Sequence, residues 1–419
     1  MRLVFIFYGY KDRTLFSKSK KLEKKLAQNT KYQYFCKNIK KIRRPMIKLK
    51  IDNFGPIKHA ELDFKKVNIL IGQQGAGKSC ILKIAAFCMW VEKTYILKEF
   101  SINDMQKKEF VETYLLDFYK LNDYATKTNG SYSKIVFNDN DNFKIFIDFK
   151  EDDENWINFT PISESDVSYK HVSYIPAERC LVSVIPNLME LKLGDSSISK
   201  YIIDWGYAHR LYTKKNPFDI LGLNSGFYYD DKSQTDYLTV NDNGITREIK
   251  FANAASGFQS VVPICVLTNY YLNHRQQSLK DRQLKQLNDN KDNCLLIEEP
   301  EENIFPETQY NLVKWIISAL NNGNDNMLFL TTHSPYILTS LNNLVYAANV
   351  GQNNHKVEDI IQKGLWIKSD NVSAYILDAG QPQSIIDKEL NEIDPALIDS
   401  ISDRINNEYD NIRNIKYGL

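Results

Sequence analysis

The sequence predicts an α/β protein, a mixed sheet flanked by helices, and three observations carry that expectation. The apolar run Val67-Asn68-Ile69-Leu70-Ile71 reads as a buried parallel strand, and it leads directly into a glycine-rich turn and a helix over about 78–93. Two further short apolar strands, Leu295–Ile297 and Met327–Thr331, enclose a helix with one face marked by Leu312, Trp315, Ile316 and Leu320. Each of these strands ends in polar residues. In a largely parallel sheet those residues collect at the carboxyl edge, where ligands bind.

The remaining elements follow in order. Ile47, Leu49 and Ile51 alternate, the turn Asn53-Phe54-Gly55-Pro56 follows, and Ala60, Leu62 and Phe64 resume the alternation, so 46–65 reads as a hairpin. Residues 95–250 read as a helical and strand-rich insertion. Its helices are expected at about 103–122 and 196–212, and its strands at Lys134–Asn138 and Phe143–Phe149. A hairpin is expected around Asp242-Asn243-Gly244. No sustained heptad repeat and no internal repeat of fixed period is present. Gln276–Lys291 is polar and reads as a surface loop. The chain ends in a helix whose positions Leu397, Ile401, Ile405, Tyr409 and Ile412 recur at helical spacing, with Asp399, Asp403, Glu408 and Asp410 between them. The expectation is a helix packed on its own core with an acidic face in water; a docking surface for a separate protein is the second reading. The organisation expected is a leader (1–45), an N-terminal lobe (46–94), the insertion (95–250) and a C-terminal lobe (251–419).

Composition narrows the class. Hydrophobic residues make up 43% and charged residues 25%, both near globular averages, so wholesale disorder is excluded. No apolar run approaches a membrane span, and the opening MRLVFIFYGYKDR has too short an apolar stretch for a secretory signal. The cysteines at 36, 80, 88, 180, 265 and 294 show no C-x-x-C pair and no zinc spacing, which points to reduced, mostly buried thiols in a cytoplasmic protein. The net charge of +1 is asymmetric. Residues 1–45 hold ten Lys and four Arg against one Asp and one Glu, so they carry +12 and the rest of the chain −11. The basic segment is expected to be a flexible leader, or an upstream stretch ahead of a start at Met46; a nucleic-acid-binding arm is the alternative. An acidic body argues against extensive nonspecific wrapping of DNA.

Four motifs carry chemistry. Gly72-Gln73-Gln74-Gly75-Ala76-Gly77-Lys78-Ser79 matches G-x-x-x-x-G-K-[ST] at every fixed position and has a strand before it and a helix after it. Its amides, with Cys80 continuing into the helix, form a phosphate nest; Lys78 suits the β- and γ-phosphates of ATP and the Ser79 hydroxyl suits Mg2+. Leu295-Leu296-Ile297-Glu298-Glu299-Pro300 ends a strand in two acids: Glu298 is expected to hold Mg2+ through water, and Glu299 to act as general base toward the attacking water. Thr331-Thr332-His333-Ser334-Pro335 ends another strand, where His333 is placed to sense a γ-phosphate and Ser334-Pro335 to start the next helix. Ala255-Ser256-Gly257-Phe258-Gln259 is a Ser-Gly turn opening a helix, a second anion site.

The order of these motifs is that of ATP-binding-cassette ATPases. From Met46 the chain resembles the ATPases of chromosome maintenance and recombination, of Rad-fifty and RecF type. It is more similar still to the overcoming-lysogenisation-defect (OLD) group and to ATPase subunits of phage-defence systems such as Septu and PARIS. The resemblance rests on Ile51–Ile57, the P-loop, Tyr174-Ile175-Pro176-Ala177-Glu178-Arg179, Ile297–Pro306 and Thr332–Pro335. It implies a P-loop NTPase fold of ABC/SMC type and an ATP-hydrolysing switch. It also implies a homodimer or higher homo-oligomer in which ATP is sandwiched and Ser256 and Gly257 complete the partner's site. About 85 residues follow Pro335, without a D-x-D pair, so the resemblance implies no Toprim nuclease in this chain and a separate effector protein, a nuclease, as partner. Phe258 replaces the second glycine of the cassette motif, and Phe305 falls near the position of an expected Asp. A DNA-repair ATPase binding DNA ends, and a nucleotide-binding scaffold with slow turnover, are the alternatives.

Overall fold

The computed structural model describes residues 47–125, 131–139, 143–150, 152–160, 169–185, 188, 193–242, 244–274, 292–322, 325–394 and 400–417. The basic segment 1–45, the polar stretch 276–291 and Leu397 fall outside the described residues.

Strands β1 (Ile47–Phe54) and β2 (Ile57–Phe64) form the expected hairpin, and β3 (Val67–Gly72) leads into helix α1 (Lys78–Ile96). Next come β4 (Lys134–Asp139), β5 (Phe143–Asp148), β6 (Ile157–Thr160), β7 (His171–Ile175) and helix α2 (Ser197–Ala208). They are followed by β8 (Phe218–Asp219), β9 (Ser225–Asp230), β10 (Thr235–Asp242) and β11 (Ile245–Lys250). The last third runs α3 (Ser256–Asn269), β12 (Asn293–Glu298), α4 (Pro306–Asn321), β13 (Met327–Thr332), α5 (Pro335–Gly351), β14 (Val372–Asp378), β15 (Gln381–Ser384) and α6 (Ser400–Tyr417).

The central sheet has the order β15-β14-β3-β13-β12-β7. Its strands are parallel except β15, which pairs antiparallel with β14. Alternation along these strands builds two cores, one on each face. Ile69, Leu295, Ile297, Leu328 and Leu330 point toward one layer, where α2, α3, α4 and α5 pack. Leu70, Leu296 and Phe329 point toward the other, filled by α1 and by β1, β2, β4 and β5. Burial on both faces explains why β3, β12 and β13 read as unbroken apolar runs. The fold is therefore α/β, a mixed sheet flanked by helices, as the sequence predicts.

Two antiparallel sheets accompany it, β2-β1-β4-β5-β6 and β11-β10-β9-β8. The stretch 95–250 supplies strands to both of them, and also β7 to the edge of the central sheet beside β12.

Two local expectations are corrected. The helix expected over about 103–122 is broken. Helices at Ile102–Gln106 and Lys108–Val111 are separated by Lys107, which is extended at φ −64° and ψ 150°. Lys107 bridges to Asn155, and the Lys108 N–H donates to the Glu154 carbonyl at 2.8 Å, so contact with a distant turn overrides local helix preference. Where its side chains are described, the C-terminal helix does not lay its stripe on the core: Ile405, Tyr409 and Ile412 are 57%, 65% and 67% exposed. Helical spacing shows that one face is apolar without specifying what covers it.

Candidate functional site

The site assembles at the carboxyl edge of the central sheet. β3 and β12 both pair with β13, so the ends of these three strands stand side by side, with Thr331 opposite Leu70 and Glu298 opposite Thr331.

The turn after β3 needs its glycines. Gly72 lies at φ 153°, and a Cβ there would stand 2.5 Å from the Leu377 carbonyl oxygen. Gly77 is left-handed at φ 102°, and a Cβ there would press on Ile57. Gly77 is the N-cap of α1, with no side-chain cap and no acid in the first turn. The first amides of a nineteen-residue helix, those of Lys78, Ser79 and Cys80 among them, are thus left without a side-chain partner at the positive end of the helix dipole. Lys78 is buried, and its ammonium donates to the Gly72 and Gln73 carbonyls, each at 2.9 Å. Burial lowers its pKa, and Glu299, Glu301 and Glu298 oppose that shift. Gln74, Gly75 and Ala76 form the tip of the loop, where Gly75 has open space around it. The Cys80 side chain is buried in the core, its thiol pushed up to about 12, so only its backbone can face a phosphate.

Glu298 ends β12 and is 4% exposed. Burial raises its carboxyl pKa, while Lys83 and hydrogen bonds from Ser79 and Tyr174 lower it. Oε2 accepts the Ala177 N–H at 3.4 Å, and Oε1 is buried with no hydrogen-bond partner. An orphaned carboxylate oxygen beside the Ser79 hydroxyl suits a hard cation with oxygen ligands. No group of three or more His, Cys, Asp or Glu suited to a metal occurs among the described residues. Two protein oxygens fit Mg2+, which retains water.

Glu299 is next, at φ 43°. Its N–H donates to the Thr331 carbonyl at 2.9 Å, and its Oε1 lies 3.3 Å from His333 Nε2. The structure therefore joins the two residues read separately from the sequence as base and sensor. The His333 N–H donates to Glu301 Oε1 at 2.6 Å. Ser334 caps α5 through the Tyr336 and Ile337 amides, and its hydroxyl donates to Gln309 Oε1 at 2.6 Å, which fixes the chain on both sides of His333.

Ser256 opens α3 and is exposed, and among the described residues no hydrogen bond joins it to the P-loop. A Cβ at Gly257 would stand 3.2 Å from the Asn303 carbonyl, so the Ser-Gly end of α3 abuts the loop after the acid pair in its own chain. Sequence reasoning assigned no role to Tyr174, Arg179, Glu301 or Gln309. The first three lie in motifs quoted above, but their contacts are with residues far away in the chain.

The stretch 209–338 matches the family model described as an AAA ATPase domain. This ATPase match covers less than half of the chain and contains Ser256, Gly257, both acids and His333. Among solved structures, the SMC head domain from Thermotoga maritima aligns with 81% of this chain and 98% of its own, at 12% identity and a TM-score of 0.39. The recombination mediator protein RecF, solved as RecF-ATPrS, aligns with 82% of this chain and 99% of its own, at 10% identity and a TM-score of 0.38. No curated protein matches the chain. No helix among the described residues is long and apolar enough to cross a membrane.

Proposed function

We propose that this chain binds ATP with Mg2+ at Gly72–Cys80 and hydrolyses it, as a cytoplasmic P-loop ATPase of ABC/SMC type. The observation that carries the reading is the convergence, on one sheet edge, of an uncapped helix N-terminus with Lys78, a buried orphan oxygen on Glu298, and the Glu299–His333 pair.

The helix amides and Lys78 bind the phosphates, with Lys78 exchanging its two carbonyl partners for phosphate oxygens. Ser79 and Glu298 would hold Mg2+, which would supply charge neutralisation to the phosphates when bound. Glu299 accepts a proton from the attacking water, and His333 orients that carboxylate and contacts the γ-phosphate. Glu301 holds the His333 backbone in place. The AAA ATPase match over 209–338 supports the class.

Two chains would enclose ATP, with Ser256 and Gly257 completing the partner's site, so that bound nucleotide switches the assembly between two states. The role we assign to the switch is control of a separate effector protein in bacterial phage defence. The OLD-like run Ile297–Pro306 and the Pro-Ala-Glu-Arg segment support it.

Equilibrium binding and phosphate release test the proposal together. Lys78→Ala is expected to lose ATP binding, because the loop's only side-chain cation is gone. Glu299→Gln is expected to bind ATP while turning over at least about a hundredfold more slowly, the range for loss of a general base. Normal affinity in the first variant, or normal turnover in the second, overturns the assignment.

A further inference from the structure

The most deeply buried charge in the described chain lies outside the set of residues that the mechanism uses. Arg179 follows β7 and is 0% exposed. Burying a guanidinium is costly unless its donors are matched, and here they are matched across several elements. Nε donates to the Ser260 carbonyl at 3.1 Å and Nη2 to the Ser260 hydroxyl at 2.9 Å, both on α3. Nη1 donates to the Glu298 carbonyl at 2.9 Å and more distantly to Pro176 at 3.4 Å, and Nη2 donates to the Glu299 carbonyl at 2.7 Å. Glu302 Oε2 lies 3.5 Å away as the acidic partner. The Tyr201 hydroxyl, from α2, donates to the Arg179 carbonyl at 2.6 Å and holds its backbone.

The loop that Arg179 grips is one that must be held from outside. Glu299 and Asn303 are both left-handed non-glycine residues, at φ 43° and 60°. The same loop packs closely on the start of α3 at Gly257, where a Cβ would stand 3.2 Å from the Asn303 carbonyl oxygen. We propose that Arg179 is a positioning residue: its rigid fork locks the Glu298–Glu299 loop to α3, so that the acid pair and the Ser256–Gly257 helix end move as one body. A lysine cannot reproduce this, because a single ammonium cannot reach carbonyls on two elements and a hydroxyl in fixed directions.

The consequence for turnover rests on the ATPase reading above; the mechanical consequence does not. Hydrogen exchange on the full chain without nucleotide therefore decides the lock by itself. In Arg179→Lys the amides of Glu302 and Ile304, and those of Phe258 and Gln259, are expected to exchange faster together. These four are hydrogen-bonded within the two segments in question. Acceleration in one segment alone, or in neither, overturns the proposal.

Kinetics supply the second arm. Arg179→Lys is expected to lower kcat about tenfold or more while ATP affinity stays within about threefold, because hydrogen bonds from a charged donor are lost and the P-loop is untouched. Equal loss of binding and turnover marks a general structural role and overturns positioning. Absence of ATP turnover in the unaltered protein defeats the ATPase reading and leaves the exchange result to decide the lock. If Arg179→Lys fails to fold, Ser260→Ala removes the hydroxyl contact alone. It is expected to raise exchange in both segments by a smaller factor, and unchanged exchange in both overturns the proposal.

Discussion

Glu299 holds its carboxylate in place at the expense of its backbone. A left-handed L-residue costs about 1–2 kcal/mol, and at φ 43° Glu299 sits in that region. The Thr331 carbonyl accepts its N–H, and Arg179 binds its own carbonyl, so the surroundings fix a conformation that the residue would otherwise leave. Glycine adopts this conformation freely but loses about 0.5–1 kcal/mol more conformational entropy on folding. Glu299→Gly is therefore expected to melt at or above the temperature of the unaltered protein while losing turnover as Glu299→Gln does. Thermal melting beside a phosphate-release assay checks both halves. A fall of several degrees would mean that the carboxylate, through His333, contributes more to stability than its backbone costs.

At the scale of elements, α1 joins the P-loop to a second buried carboxyl. Glu92, near its far end, is buried, and its pKa is raised well above the usual carboxylate value by burial first and then by the carboxyl group of Asp139 at the end of β4. Asp139 is raised by burial too, and Lys170 opposes both shifts. A carboxyl whose folded-state pKa is raised is stabilising in its protonated form. Its contribution is complete below the ordinary value near 4.5 and is lost as pH rises through the folded-state value. Glu92→Gln carries no proton to lose. It is expected to match the unaltered protein in melting temperature near pH 4.5 and to exceed it increasingly toward pH 8. Melting curves across that range measure the difference, and a gap that does not widen with pH rules out Glu92 as its source. Nothing in the local pattern predicts this pair. Glu92 reads as one polar position on a helix, and its partner Asp139 lies on a strand far along the chain.

Over the whole molecule, what could be read from sequence follows the range of the interactions. β3, β12 and β13 are legible because strands buried on both faces must be short and apolar, and the P-loop because its glycines answer a local steric demand at Gly72 and Gly77. Arg179 is not legible as a clamp, since its acceptors lie about 80 and 120 residues along the chain. The cover of α6 is not legible either, because Ile405 and Ile412 fit a buried and an exposed stripe equally well. The same limit applies to partner contacts around the site, and there the surface suggests a test. Phe305 caps α4 and is 74% exposed; Tyr336, in the first turn of α5, is 54% exposed. Phe305 ends the loop after the acid pair and Tyr336 lies three residues past His333, and exposed large side chains at these positions suit a surface that closes on association. The exposed Ser256 end of α3, without a side-chain cap or an acid in its first turn, is the end proposed above to complete the partner's site. With ATP, Glu299→Gln is expected to double in mass from 48.7 kDa by light scattering, because nucleotide that is not hydrolysed keeps two chains together. Adding Phe305→Asp or Ser256→Glu is expected to abolish the doubling while the P-loop still binds ATP. A single-chain mass with saturating ATP in Glu299→Gln would remove the sandwich, and a doubling that survives both added substitutions would move the contact away from this face.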